Sequence, residues 1–144
     1  MTAKKRILIL YFSLLIHGGF CQILDTTLAN FKYYHYQVPE EKVYLSTDKE
    51  VFVQNENLWF SVYLVNASTH KTSLISELVN IDLLGPEDQI ISSLVIDMRS
   101  DLGKGSFFLA DSLIEGNYTL NAYTHYMRNS SPEFIFSKTV KFFN

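Results

Sequence analysis

The chain has 144 residues, 47% hydrophobic and 15% aromatic, which suits one folded domain with a real core and excludes intrinsic disorder. Its formal charge is −3. Loss of Lys4, Lys5 and Arg6 with a leader leaves nine of the twelve basic residues against fifteen acidic ones, net −6, which argues against a nucleic-acid partner.

The chain opens as a secretory signal. Lys4, Lys5 and Arg6 form the charged region, Ile7 to Ile16 the apolar run, and Gly18-Gly19-Phe20-Cys21 the small-residue stretch, with cleavage expected between Cys21 and Gln22. The apolar run falls short of the ~20 residues of a spanning helix. An uncleaved anchor is one alternative. A lipidated Cys21 is another, opposed by Phe20 directly before it, and membrane association is expected only in that case. Cleavage after Cys21 removes the single cysteine, so no disulfide supports the mature fold. Between Gln22 and Pro39, Leu24, Leu28, Phe31 and His35 recur at helical spacing. A short amphipathic helix is expected there, ending before Pro39 and packed on the domain that follows. Residues 1–21, 22–40 and 41–144 thus read as signal peptide, helix or linker, and folded domain.

From Glu41 the period becomes that of strands. Val43 and Leu45 alternate with Tyr44 and Ser46, and the short run Val51-Phe52-Val53 follows Asp48-Lys49. Gln54 to Asn57 is a polar turn in which Asn accepts the left-handed conformation. In the next run Leu58, Phe60, Val62 and Leu64 face a core, and Trp59, Ser61, Tyr63 and Val65 face outward. Thr69 to Ser76 is a loop. Leu78 to Leu84 is a strand with Val79, Ile81 and Leu83 inward, followed by the turn Gly85-Pro86-Glu87-Asp88. Ile90 to Met98 returns as a hairpin partner, with Ile90, Leu94, Ile96 and Met98 inward. Gly103-Lys104-Gly105-Ser106 reads as a hairpin turn, and Ser106 to Ala110 as a short strand. Tyr118 to Tyr126 alternates, with Tyr118, Leu120, Ala122 and Tyr126 on one side. Glu133 to Phe143 closes the chain, with Phe134, Phe136, Val140 and Phe142 in step. About seven strands with turns every 8 to 12 residues give a sandwich pattern.

Two blocks carry a resemblance. Tyr44-x-x-x-Asp48-Lys49-x-x-Phe52, a polar turn, then Leu58-Trp59-Phe60 is similar to the MG2 domain of the macroglobulin family. The tail from Asp111-Ser112-Leu113 through Gly116-Asn117-Tyr118-Thr119-Leu120 to Tyr126-Met127-Arg128-Asn129 resembles the closing half of such modules. More narrowly, the pattern is similar to MG2-type modules near the N-terminus of large exported Bacteroidetes proteins, some with TonB-receptor-like segments further on. Roughly Glu41 to Asn144 is covered. Family members usually place Gly in the turn held here by Gln54 to Asn57, and often Pro at the position of Ile114. The resemblance implies an all-β fold, an antiparallel seven-stranded sandwich of immunoglobulin/macroglobulin-like type. It also implies that Asp48-Lys49 and Arg128-Asn129 belong to the fold signature, as turn-stabilising residues at strand ends.

No catalytic constellation assembles, so no enzyme activity and no cofactor are expected. His17, His35, His70 and His125 are scattered and lack ligand partners at metal spacing. No G-x-S-x-G elbow occurs, and Gly103-Lys104-Gly105-Ser106 lacks the spacing of a phosphate loop. The macroglobulin thioester pattern of Cys followed by Glu and Gln is absent. Asp111-Ser112-Leu113 and Asp25-Thr26-Thr27 resemble the O-glycosylation pattern of exported Bacteroidetes proteins, with Ser112 the candidate acceptor; ordinary polar turns explain the same residues. Asn66, Asn117 and Asn129 open N-x-S/T triplets that matter only in a eukaryotic secretory pathway.

The expected function is that of a non-catalytic module, exported to the periplasm, the outer membrane or the cell surface. It would scaffold or contact other envelope proteins, or the remainder of a larger chain. One alternative is carbohydrate binding through exposed aromatics, for which Tyr33, Tyr34, Tyr36, Trp59 and Tyr63 are the candidates. Another, resting on the family name, is an endopeptidase-inhibitor domain.

Overall fold

The computed structural model describes residues 24–34, 38–129 and 131–144. The signal-peptide and cleavage expectations lie outside the described residues. The chain divides into two units, Met1–Pro39 and Glu40–Asn144. In the first, residues 24–34 form the expected short helix, and its side chains are all exposed, including Leu24, Leu28 and Phe31.

The second unit contains eight strands among the described residues: β1 (Glu41–Thr47), β2 (Val51–Val53), β3 (Glu56–Asn66), β4 (Leu78–Leu84), β5 (Ile90–Asp97), β6 (Gly103–Leu109), β7 (Gly116–Tyr123) and β8 (Phe136–Phe143). They make two sheets, one of order β1-β3-β6 and one of order β2-β8-β7-β4-β5. The alternating apolar positions of both sheets meet in one core. Val43 and Leu45 of β1 and Leu58, Phe60, Val62 and Leu64 of β3 lie buried with Phe52, Val79, Ile81, Leu83, Leu120, Val140 and Phe142. Mixing of the two sheets' inner faces in one cluster is what makes the unit a β-sandwich.

Tyr118 anchors the start of β7. Its ring is buried edge-on to Phe142, with centroids 5.7 Å apart. Its hydroxyl donates to the carbonyl of Ile114 at 2.8 Å, so the polar tip of a buried ring is satisfied by the preceding turn. Burial pushes this phenol's pKa up.

Several sequence expectations change. Eight strands stand where seven were expected, because the three-residue β2 is a strand of its own. The sheets are not wholly antiparallel. The chain leaves the smaller sheet after β1, pairs β2 parallel with β8, and returns as β3. The turn before β3 is shorter than Gln54 to Asn57, since β3 already begins at Glu56; Asn55 takes the left-handed conformation at φ 61°. Ile90 is 64% exposed rather than inward. The β4–β5 register shifts between Leu83 and Leu84, pairing Leu83 with Ser92 but Leu84 with Ile90, and that bulge turns Ile90 outward.

Gly103 to Ser106 is strand, not hairpin turn. A Cβ on Gly103 would lie 2.5 Å from Ile96 Cγ2, and one on Gly105 2.5 Å from Phe60 Cζ. The glycines therefore make room for core side chains. β7 ends at Tyr123, and Tyr126 lies in the turn beyond it. Pro132–Phe134 is a short 3-10 turn, so β8 starts at Phe136, three residues later than expected.

Candidate functional site

The outer face of the three-stranded sheet is set by register. Tyr44 of β1 pairs with Tyr63 of β3, and Ser46 with Ser61. Across the other edge of β3, Ser61 pairs with Lys104 of β6, and Trp59 with Ser106. The row Ser46–Ser61–Lys104 therefore crosses all three strands, spanning roughly 10 Å at the usual interstrand spacing. An aromatic row, Tyr44 and Tyr63, lies on one side of it, and Trp59 on the other. Tyr44 is 56% exposed, Tyr63 42% and Trp59 57%. Tyr44 lies 6.2 Å from the Tyr63 ring and 5.5 Å, edge-on, from Phe136, measured between centroids.

Beside Trp59 the surface dips into an open hollow of about 360 Å³, lined by Ser46, Thr47, Asp48, Trp59, Ser61 and Lys104. The Asp48 N–H donates to the Trp59 carbonyl at 3.1 Å, which fixes the aspartate next to the ring. The side chains of Ser46, Asp48, Ser61 and Lys104 make no hydrogen bond or ion pair among the described residues. The Thr47 hydroxyl, on the alternate face of β1, is buried without a hydrogen-bond partner among the described residues. The opposite outer face differs. There Ser93 donates to Asp82 at 2.6 Å, Tyr123 donates to the same carboxylate at 2.8 Å, and Arg128 lies over the Tyr123 ring at 5.7 Å. Burial, and then the bond to Asp82, raise the Tyr123 pKa. On that face Asp82 thus gathers two hydroxyl donors, whereas the carboxylate of Asp48 has none among the described residues.

Four of the five aromatic candidates are described residues, two in each unit. Trp59 and Tyr63 share a strand face. Tyr33 and Tyr34 are exposed on the 24–34 helix of the other unit, and Tyr36 lies outside the described residues. Sequence reasoning missed Tyr44, Ser46 and Lys104, because only the pairing of β1 and β6 with β3 brings them beside Trp59 and Tyr63. Ser112 is exposed in the turn between β6 and β7. Lys49 has a structural role, as its position at a strand end implied. It pairs with Glu56 at 2.6 Å and lies 5.2 Å from the Phe52 ring centroid. Glu56 also accepts from the Val53 N–H, and these bonds, the lysine's first, lower its pKa.

A second polar cluster is buried. Glu41, 2% exposed, accepts from Ser73 Oγ and Ser76 Oγ at 2.7 Å each, from the Ser76 N–H at 3.1 Å and from Thr124 Oγ1 at 2.8 Å. The Thr124 hydroxyl in turn accepts from the Met127 N–H at 3.1 Å. Glu41 thereby ties β1 to the loop after β3 and the turn after β7, a structural clasp. Among the described residues, no group of three or more His, Cys, Asp or Glu could hold a metal ion, and no helix is long and apolar enough to cross a membrane.

No protein-family model matches the chain, and no curated protein matches it. Solved structures do. Salmonella alpha-2-macroglobulin reacted with methylamine aligns with TM-score 0.60 at 12% identity, over 72% of this chain and 6% of that one. The native conformation of E. coli alpha-2-macroglobulin gives 0.61 at 14% identity, again over 72% and 6%. The trypsin-activated E. coli protein gives 0.56 at 15% identity, over 69% and 6%. The chain thus corresponds to about 6% of the length of these neighbours. Identity this low speaks to fold alone, and the fold is that of a macroglobulin-like β-sandwich domain.

Proposed function

We propose that this chain is a non-catalytic MG2-type module, exported to the bacterial envelope, that works by contact with other envelope proteins or with the rest of a larger assembly. The observation that carries this reading is the likeness to one small part, about 6%, of much larger chains. A domain of that kind serves as a building block and presents surfaces to neighbours. The MG2-like residue pattern around Tyr44, Asp48, Lys49, Phe52 and Trp59 supports the subtype and the Bacteroidetes setting. The leader-like start supports export.

A photo-crosslinking amino acid placed in living cells at Tyr44, on the outer face of the three-stranded sheet, and at Val95, on that of the five-stranded sheet, tests this. The expected result is a mature chain beginning at Gln22 in the envelope fraction, with a discrete covalent adduct at one of the two positions. A chain kept in the cytoplasm with Met1 intact, or one crosslinked to nothing, would falsify the proposal. Acyl chains on Cys21 would move the location to membrane-anchored.

A further inference from the structure

We infer that the trough on the outer face of the three-stranded sheet is a binding site for a neutral, pyranose-containing oligosaccharide, with Trp59 as its stacking platform. This does not depend on the scaffold reading above. One face of a pyranose ring presents C–H groups and packs on a flat ring, while its rim carries hydroxyls that each donate and accept. The trough offers that combination. Trp59 offers a large exposed apolar ring, and Tyr63, four residues along β3, lies roughly 13 Å away on the same face. Between them along β3 lies Ser61, paired with Ser46, and these small side chains leave room beside the rings.

The polar row supplies every kind of partner a sugar hydroxyl uses. Lys104 only donates, Asp48 only accepts when ionised, and the hydroxyls of Ser46 and Ser61 do both. None of the four side chains has a hydrogen-bond or ion-pair partner among the described residues, so all of them are free to meet a ligand. Few convergent polar groups beside an apolar wall is how small-ligand sites are built. The hollow beside Trp59 shares its sheet face with Tyr44 and Tyr63, which lie on the far side of the serine row and offer further ring surface to a longer ligand.

Two observations select the class of ligand. Asp48 and Lys104 line the same hollow with opposite charge, so it favours neither an anionic nor a cationic sugar. A peptide adding as a strand needs unpaired main-chain groups. Along the floor strand β3 these groups are already taken, by β1 on one side and β6 on the other, and the free edges of β1 and β6 lie at the margins of the face.

Trp59 is the only tryptophan in the chain, so its fluorescence reports the site directly. The purified full chain is titrated with cellohexaose, laminarihexaose, maltohexaose, mannohexaose and chitohexaose, with hexagalacturonate and an extended hexapeptide as comparators. A saturable emission change with at least one neutral hexasaccharide is expected. By calorimetry that affinity falls at least about tenfold in Trp59→Ala and in Ser61→Tyr, which fills the floor. Urea melts that match the parent's show both variants folded, and Lys104→Ala replaces either one that is not. No saturable signal up to about 10 mM with any neutral sugar overturns the inference. So does a preference for the acidic hexamer or the peptide, or binding that survives the substitutions. Loss of sugar binding leaves the crosslinking result of the scaffold reading untouched, so the two fail separately.

Discussion

At the residue scale, Glu41 shows how a carboxylate is held inside a sandwich without a cation. Its four donors come from segments 32, 35 and 83 residues away, so it contributes nothing until the domain is assembled. Glu41→Ala leaves Ser73, Ser76 and Thr124 with unmet polar groups, at least two of them in buried residues. The expected loss is about 2–4 kcal/mol in a urea melt, with Glu41→Gln milder because its amide keeps one acceptor. A loss under roughly 0.5 kcal/mol for the alanine variant would mean that the clasp is not formed in solution. Asp97 is the exposed counterpart. Arg99 bonds its carboxylate through both side chain and backbone and lowers its pKa to about 2. A pKa lowered on folding contributes stability above the unfolded value, and that contribution is lost as pH falls toward about 2. An NMR titration should therefore find the Asp97 midpoint near that value, and Arg99→Ala, which keeps the backbone N–H, should raise it only part of the way to about 4. An Asp97 midpoint already near 4 in the parent chain would show that the pair is open.

At the scale of elements, β3 decides the fold, because it is the central strand of its sheet and carries four core residues. Phe60→Ala should cost about 3–5 kcal/mol through lost burial and a residual cavity. Ser61→Ala, one residue along on the trough floor, should cost less than about 1 kcal/mol. Equal losses in denaturant melts would contradict the register. The Phe60 ring also accounts for Gly105, which stands opposite it and would place a Cβ 2.5 Å from the ring and 3.1 Å from Ile96. Gly105→Ala should destabilise by about 1–3 kcal/mol through overpacking. Adding Phe60→Leu should recover part of this, since the two changes share one space. Strictly additive losses would show that the ring and the glycine do not meet.

At the scale of the whole molecule, the twenty buried hydrophobic residues of the core among the described residues lie between Val43 and Phe142, and each of the eight strands described contributes to them. The unit Glu40–Asn144 contains its own core, as an autonomous domain requires. Removal of residues 1–39 should therefore leave the urea midpoint of the domain within experimental error of that of the mature chain. A clear drop would assign the 24–34 helix a part in stability. Such autonomy is also what a module reused within large chains needs.

The alternation of apolar and polar residues in β3, β4 and β8 already assigns most of the core, because in a strand the side-chain period is a local property of the backbone. The inward sets Leu58, Phe60, Val62, Leu64 and Val79, Ile81, Leu83 follow from the sequence by itself, as do Trp59 and Tyr63 on the outer face. Register and sheet membership do not, because they depend on which strands meet across distances no local pattern encodes. Only the tertiary structure placed Tyr44 beside Tyr63 and Lys104 beside Ser61, sent β2 to pair parallel with β8, and turned Ile90 outward at a bulge. It likewise put Gly103 and Gly105 in a strand, where glycine alone looks like a turn, because the space they vacate is filled by Ile96 and Phe60 from other strands. The candidate surface is legible by half for the same reason: two of its three rings lie on one strand, but its polar row is assembled from three.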